Sequence, residues 1–245
     1  MSSNLLQFPT LFHVTHWKAG SQWINKILQQ CFPDNIVQPK IDEEQFLREP
    51  ILKSSVYPTL YVTKEQFDRV DKIDLPNYFV VFRDLRDTLI SGYFSIKISH
   101  KLIDNRLVEW RNKLLSLDLD GGLLFLMDEW LYKSFIIQLS WATSGEKWIR
   151  YEDLLQHDYE IFESLFIDKF KLPISKERLR YVILSNRFEN VTQGRERGVE
   201  DVNSHERKGI VGDWKNYFSE RIKREFKERY GLILTVTGYE KNLDW

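Results

Sequence analysis

The segment Tyr78–Phe82 (YFVVF) most strongly limits the folds that this chain can adopt. It is a continuous apolar run of strand length, and it stops at the charged pair Arg83-Asp84, which is typical of a strand buried on both faces of a sheet. Pro9–Thr15 (PTLFHVT) has a similar character, and a helical pattern follows each run. Strands that alternate with helices predict an α/β fold with a central parallel sheet flanked by helices. Ligands of such sheets bind beyond the carboxyl ends of the strands.

The remaining elements follow from the same periodicities. Two further strands are predicted at Thr59–Thr63 and Lys147–Tyr151. Helices are predicted at Arg86–Ser99, at Gly122–Thr143 with Trp130, Phe135 and Ile136 inside, and at Tyr217–Tyr230. Further helical segments are predicted between the strand that ends at Tyr151 and Leu184. The charged and Gly-containing stretch Asn186–Asn216 is interpreted as a long functional loop.

Length and composition exclude several classes of protein. The 245 residues suit one domain, so we assign residues 1–245 to a single unit. The single cysteine, Cys31, rules out an internal disulfide and argues against a metal site built on cysteine. A net charge of −1 gives no support to a nucleic-acid partner. No apolar run is long enough for a membrane span and no signal peptide is evident, so we expect a cytoplasmic protein without a membrane partner.

The first candidate site is Lys18–Trp23 (KAGSQW), between a predicted strand and a predicted helix. Gly20 allows the backbone to turn and to approach a ligand closely. The free N–H groups at the start of the helix attract an anion, and Lys18 adds a positive charge. The segment is not a Walker A loop, because its lysine precedes the glycine. The alternative is an ordinary turn that carries a surface lysine.

The second candidate site begins at Arg83, just beyond the clearest strand. A guanidinium fork together with the hydroxyl of Ser91 suits a phosphate monoester. Arg86 and Asp87 lie between them, and we expect those two side chains to form surface ion pairs.

The third candidate site is Arg207–Lys215 (RKGIVGDWK), where two adjacent cations precede spaced glycines. Such a segment can surround a phosphate with charge and backbone N–H groups. The alternative is a solvated charged loop. Upstream lie three further basic side chains, Arg195, Arg197 and His205. Nearby acidic residues offset their charge.

Together the three segments resemble the family of sulfotransferases that use PAPS (3′-phosphoadenosine 5′-phosphosulfate). That family has a P-K-x-G-T-T-W-like loop, then R-D-x-[RK]-D-x-x-x-S, then R-K-G-x-x-G-D-W-K-N-x-F. This chain has, in the same order, W-K-A-G-S-Q-W, R-D-L-R-D-T-L-I-S and R-K-G-I-V-G-D-W-K-N-Y-F. The resemblance implies a P-loop-like sulfotransferase fold. It also implies transfer of a sulfuryl group from PAPS to a hydroxyl or amine of a small-molecule acceptor, with release of PAP (the desulfated nucleotide) and without a metal.

The resemblance also implies the nucleotide contacts. The 5′-phosphosulfate would be held by Lys18, Ala19, Gly20, Ser21 and Gln22. The 3′-phosphate would be held by Arg83, Ser91, Arg207, Lys208 and Gly209. Aromatic side chains would contact the adenine, although packing in the core is the alternative for each of them: Trp23, Tyr151 in R-Y-E-D-L, and Phe188 in N-R-F-E.

The resemblance implies a role for one catalytic group and leaves the general base open. Lys18 would stabilise the leaving phosphate oxygen. Small-molecule members of the family often carry a histidine in a K-T-H-L-P-like strand end, whereas the corresponding segment Tyr61–Phe67 (YVTKEQF) has none. We predict that Glu65 is the general base, and Lys64, His16 and His100 remain alternatives.

The acceptor pocket is predicted to use Tyr57, Tyr93, Phe94, His100 and the segment Phe125–Trp141. The sequence does not name the acceptor, and a monomer and a homodimer are both compatible with it. Two other functions stay open. One is a kinase-like P-loop phosphotransferase, and the other is a module that binds PAP without catalysis.

Overall fold

A four-stranded parallel sheet forms the centre of the computed structural model, which describes residues 8–40, 44–72 and 76–245. The strands are β1 (Leu11–Thr15), β2 (Val56–Leu60), β3 (Asn77–Phe82) and β4 (Ile149–Arg150), in the order β2-β1-β3-β4. Their register pairs Thr15 with Val81 and Phe82 with Arg150. The carboxyl ends of β1, β3 and β4 therefore meet at one edge of the sheet, and the predicted α/β fold is confirmed.

Helices cover both faces of this sheet. They are α1 (Ser21–Cys31), α2 (Glu44–Arg48), α3 (Lys64–Arg69), α4 (Leu85–Phe94), α5 (Asn105–Leu115), α6 (Leu119–Leu126), α7 (Tyr132–Ala142), α8 (Tyr151–Glu163), α9 (Lys176–Ser185), α10 (Phe188–Val191) and α11 (Glu220–Val236). Single π-helical stretches extend α4 (Ser95–Ser99), join α6 to α7 (Met127–Leu131) and extend α8 (Ser164–Lys169), and a 3₁₀ turn covers Asp213–Asn216.

The side chains of the strands alternate between two cores. Leu11, Phe79 and Val81 pack with α1, α8 and α9 on one face. Phe12 and Val80 pack on the other face, with aromatic rings from α2, α3 and α7. A third apolar cluster joins α4, α6 and α11 beside the sheet. The inner strands are thus buried on both faces, as their apolar sequences predicted.

Several predicted boundaries were wrong for local reasons. The second strand spans Val56–Leu60 rather than Thr59–Thr63, because Thr63 caps α3 in a capping box with Gln66. The fourth strand has only two residues, since Tyr151 already begins α8. The helix after β3 begins at Leu85, where the Asp84 carboxylate accepts a bond from the Arg86 N–H at 2.8 Å.

The other helical predictions also need correction. The segment predicted as one buried helix at 122–143 is α6, a π-helical stretch and α7. Its predicted inner residues Trp130, Phe135 and Ile136 are only half-buried, whereas Ile137 and Trp141 are fully buried. The last helix starts at Glu220 and continues to Val236, six residues beyond the predicted end at Tyr230.

Candidate anion-binding cleft

An open cleft lies at the carboxyl edge of the sheet, where the three candidate segments meet. It encloses about 1040 Å³, including its solvent-filled mouth, which is the size of a nucleotide or cofactor site. All the predicted nucleotide-binding residues except Ala19 line it, and Ala19 is fully buried within the first turn. The chain thus brings together side chains that are far apart in sequence: Lys18, Gly20, Ser21, Gln22, Trp23, Arg83, Ser91, Tyr151, Phe188, Arg207, Lys208 and Gly209.

The turn between β1 and α1 has the geometry of an anion loop. Lys18 and Gly20 both adopt positive φ, 64° and 81°, and Gly20 is the N-cap of α1. A side chain at Gly20 would place Cβ 2.7 Å from the ring of Tyr151, so only glycine fits. No side chain caps the start of α1, and its first N–H groups are left to bind an anion.

His16 joins this turn to the end of β3. Its Nε2 accepts a hydrogen bond from the Arg83 N–H at 3.2 Å, and its Nδ1 donates to the Trp17 carbonyl at 2.9 Å. Complete burial lowers the pKa of His16 to about 4, and the charge of Arg83 adds to this effect. The ring is therefore neutral at pH 7 and both nitrogens are engaged, so the alternative that made His16 the base is wrong.

Lys18 lies near two other cations of the cleft, Arg83 and Arg207. Desolvation, together with the charges of Arg83 and Arg207, lowers the pKa of Lys18 to about 8, against a smaller opposing effect of Glu206. Arg83 donates to the Lys18 carbonyl at 3.1 Å, and its guanidinium lies 4.9 Å from the centre of the Tyr151 ring. The buried Nε of Arg83 has no hydrogen-bond partner among the described residues.

Arg86 and Asp87 are buried, so the prediction that they form surface ion pairs was wrong. The Arg86 guanidinium lies 2.6 Å from a carboxylate oxygen of Asp84 and of Glu240. The rings of Trp214 and Trp245 stack against it, at 4.1 and 4.4 Å from their centres. This arrangement holds the start of α4 against Trp245 and against the third candidate segment (Arg207–Lys215, the late segment).

Asp87 connects the second and third candidate sites. Its carboxylate accepts the backbone N–H groups of Gly212 at 2.7 Å and of Trp214 at 2.9 Å. The same carboxylate lies 3.8 Å from the guanidinium of Arg83. Asp87 thus fixes the segment that begins at Arg207 against the helix that carries Ser91.

The late segment closes one side of the cleft. Arg207 pairs with Glu200 and Asp213, and Lys208 lies 2.7 Å from Asp213. Gly209 has φ 66°, and a Cβ there would lie 2.7 Å from the ring of Phe188. The backbone therefore passes directly over an aromatic face, as a segment that closes over a flat ligand requires.

The predicted catalytic and acceptor residues lie in several different places, unlike the predicted nucleotide-binding residues. Glu65 is exposed in the first turn of α3, outside the cleft lining, and Lys64 binds Asp68 at 2.6 Å. Glu65 as the base stays a prediction. Tyr57 lines a separate cavity of about 460 Å³, open solvent included, and Tyr93 is buried beneath Gly122.

Two aromatic residues that the sequence interpretation did not assign to the acceptor pocket lie beside the first turn, next to Trp130 of the predicted segment Phe125–Trp141. The hydroxyl of Tyr61 donates to Ser21 Oγ at 3.0 Å, and the ring of Trp17 lies 5.1 Å from that of Tyr61 and 6.4 Å from that of Trp130. The position of Trp17, next to Lys18, was the available signal. These rings form an apolar wall next to the anion loop.

The described residues contain neither a metal-binding cluster nor a membrane-spanning helix. Within residues 8–40, 44–72 and 76–245, no group of three or more His, Cys, Asp or Glu side chains could hold a metal ion. In the same part of the chain, no helix is long and apolar enough to cross a membrane.

Comparison with known proteins identifies the family. The family model described as the sulfotransferase domain matches residues 9–241. The chain belongs to the sulfotransferase family. Sulfotransferase 6B1 of Danio rerio is 28% identical to this family member over 175 residues, which are 69% of the chain and 56% of that relative's length.

Solved structures support the fold. Mouse sulfotransferase SULT7A1 complexed with PAP has a TM-score of 0.63 to this family member at 20% identity, over 94% of this chain and 88% of that one. Retinol dehydratase in complex with androsterone and inactive cofactor PAP has a TM-score of 0.53 at 14% identity, over 94% and 82%. The P-loop-like sulfotransferase fold predicted from the three segments is thus confirmed.

Proposed function

We propose that the protein is a PAPS-dependent sulfotransferase that moves a sulfuryl group to a hydroxyl or amine of a small-molecule acceptor and releases PAP. The observation that carries this proposal is the cluster of Lys18, Arg83 and Arg207 at the N-terminus of α1. Burial, followed by the charges of Arg83 and Arg207, lowers the pKa of Lys18 to about 8. An anionic ligand would remove this repulsion and bind the free N–H groups of the helix.

The cleft also fits the rest of such a nucleotide. The unpartnered Nε of Arg83 and the hydroxyl of Ser91 would hold the 3′-phosphate with Arg207, Lys208 and Gly209. Trp23, Tyr151 and Phe188 line the same cleft and would contact the adenine. The missing side chains at Gly20 and Gly209 let the rings of Tyr151 and Phe188 lie directly against the backbone of the cleft.

The proposed chemistry divides between charge stabilisation and proton removal. When bound, PAPS supplies an activated sulfuryl group that leaves a phosphate oxygen behind. Lys18 and the N–H groups at the start of α1 would stabilise the negative charge that develops on that oxygen. The acceptor would approach from the side of Trp17, Tyr61 and Trp130, which border the turn. The two solved structures named above are complexes with PAP, and this supports the donor assignment.

Calorimetric titration of PAP into the protein, without magnesium, tests the donor site. We expect micromolar binding of PAP and at least tenfold weaker binding of AMP, because AMP cannot use the cations of the 3′-phosphate site. Arg207→Ala should abolish the binding. Arg180→Ala, which removes an exposed arginine on α9, is the matched control and should bind PAP normally. Magnesium-dependent binding of ATP instead of PAP would favour the kinase-like alternative.

A second assay separates an enzyme from a binding module. The protein is incubated with PAPS and a panel of hydroxyl and amine acceptors, and PAP formation is followed by chromatography. Acceptor-dependent PAP formation supports the proposal. Tight PAP binding without PAP formation with any acceptor or with water would favour the non-catalytic alternative.

A further inference from the structure

The proposed reaction needs a group that takes the proton of the acceptor. The strand-end segment supplies no histidine, and Glu65 is exposed on α3, outside the cleft lining. His16 has both ring nitrogens engaged in hydrogen bonds. A base is therefore to be sought among the side chains that line the cleft itself.

His205 lines this cleft, together with Lys18 and Arg207. No hydrogen bond joins its ring to any other described residue, so both nitrogens can face a ligand. It is the one histidine of the described residues in the cleft lining. Its side chain is exposed at the mouth, where an acceptor can reach it.

The backbone on either side of His205 is held in place. The guanidinium of Arg195 donates to the carbonyls of Glu206 and Arg207 and to Ser204 Oγ, the last at 3.2 Å. The Asp201 N–H donates to the Arg207 carbonyl at 2.9 Å. These bonds fix the two neighbours of His205, and the His205 ring takes no part in them.

A salt bridge connects the same loop to the anion-binding helix. Lys26, on α1, lies 3.3 Å from the carboxylate of Glu206. This contact spans the cleft between the helix that follows the first turn and the residue next to His205. The residue next to His205 is therefore held against α1.

We propose that His205 is the general base of the sulfuryl transfer, an inference that rests on the proposed function. The acceptor oxygen or nitrogen forms a bond to sulfur while the bond between sulfur and the bridging phosphate oxygen breaks. The proton of the acceptor moves to an imidazole nitrogen of His205, and the electron pair of the broken bond stays on PAP. The imidazolium then releases its proton to solvent, so atoms and charge balance.

The charges around His205 suit this role. Partial loss of solvent around the ring and the charges of Lys18, Lys26 and His100 lower the pKa of His205, and Glu206 opposes them. The free ring is thus unprotonated at neutral pH. A bound nucleotide anion beside Lys18 and Lys26 raises the pKa of His205 again, so the base is stronger in the complex than in the free protein.

The test compares His205→Asn with His157→Asn. His157 is an exposed histidine on α8, outside the cleft, and is the matched control. PAP formation from PAPS is measured with water and with the acceptor panel, and PAP affinity is measured by calorimetry. We expect His205→Asn to slow PAP formation about 10²- to 10⁴-fold with PAP affinity within threefold of wild type. His157→Asn should behave as wild type.

A second variant distinguishes proton transfer from a structural role. His205→Ala should regain PAP formation when imidazole is added, and the pH dependence that a base of low pKa gives to wild-type turnover should disappear in it. Turnover of His205→Asn within threefold of wild type would overturn the proposal. So would a comparable loss of turnover in Glu65→Gln or Glu206→Gln alone. A wild-type protein that neither binds PAP nor forms it would instead refute the proposed function.

Discussion

Replacing Lys18 with methionine should stabilise the protein while abolishing nucleotide binding. Desolvation and the neighbouring charges of Arg83 and Arg207 lower the pKa of Lys18 from 10.5 to about 8. At pH 7 the folded chain therefore carries an ammonium that the unfolded chain accommodates better. This difference in pKa corresponds to about 3 kcal/mol. Because Lys18 is only partly buried, solvent screening reduces the effect, and we expect a gain of about 1–2 kcal/mol.

The pH dependence of this gain identifies its cause. Between the folded pKa near 8 and the unfolded value of 10.5, the unfolded chain binds more protons at Lys18 than the folded chain does. The contribution of Lys18 to wild-type stability therefore rises with pH across this window. The advantage of Lys18→Met should be full below pH 8 and should vanish near pH 10.5, and other alkaline titrations cancel in the difference between the two proteins.

Urea unfolding of both proteins at pH 7 and pH 10.5 measures this difference. The thermal midpoint of Lys18→Met at pH 7 should be about 2–8 °C above that of wild type. Lys26→Met, which removes an exposed lysine on the helix that follows this turn, is the control and should change stability by no more than about 0.5 kcal/mol. A variant of Lys18 that is less stable than wild type at pH 7, or a difference that is the same at both pH values, would refute the reasoning.

Three further substitutions, one of them with a matched control, test the geometry of the cleft. Arg83→Lys keeps the charge but loses the guanidinium fork, so PAP affinity should fall about 10- to 100-fold in calorimetry, and unchanged affinity would argue against a phosphate at this side chain. Gly209→Ala combines positive φ with a clash against Phe188 and should lose about 2–4 kcal/mol in urea unfolding. Gly145→Ala, which has φ 81° but open space around Cβ, should lose only about 1 kcal/mol, and equal losses would contradict the proposed close contact. Asp87→Ala leaves two backbone N–H groups unpaired and should lower the free energy of unfolding by about 2–4 kcal/mol, whereas a loss below about 1 kcal/mol would show that this carboxylate does not hold the late segment.

Apolar runs and turn residues were reliable guides because their effects are local. Tyr78–Phe82 was recognised as a buried strand, and the structure extends it by one residue at its start. Gly20 was recognised as a position of close approach and Gly209 as part of a phosphate-binding segment, and both have positive φ against an aromatic ring. The order of the three segments also identified the family, since those segments carry the chemistry of the ligand.

Boundaries failed where two local signals compete. Thr59–Thr63 has the β-propensity of a strand, but Thr63 forms a capping box with Gln66 and starts a helix instead. Pro58 made the true strand harder to recognise, because proline is rare within strands. The structure accommodates Pro58 at the edge of the sheet, where β2 pairs with β1 on one side.

Charge and proton chemistry depended on the tertiary structure. Arg86 and Asp87 look like surface residues in the sequence, yet packing of Trp214 and Trp245 over Arg86 and the late segment's bonds to Asp87 bury both side chains. Desolvation is a property of everything packed around a group, so no spacing in the sequence reveals it.

The sequence by itself determined the sheet of alternating strands and helices, the anion-binding turn at Gly20 and the family. Only the tertiary structure decided which ionisable groups share the cleft, because folding brings His205 and Lys18 to the same cleft from distant parts of the chain. It also decided that His16 is a buried, neutral connector. Backbone conformation is set largely by neighbouring residues, whereas the pKa of a side chain is set by the charges and solvent around it in the folded molecule.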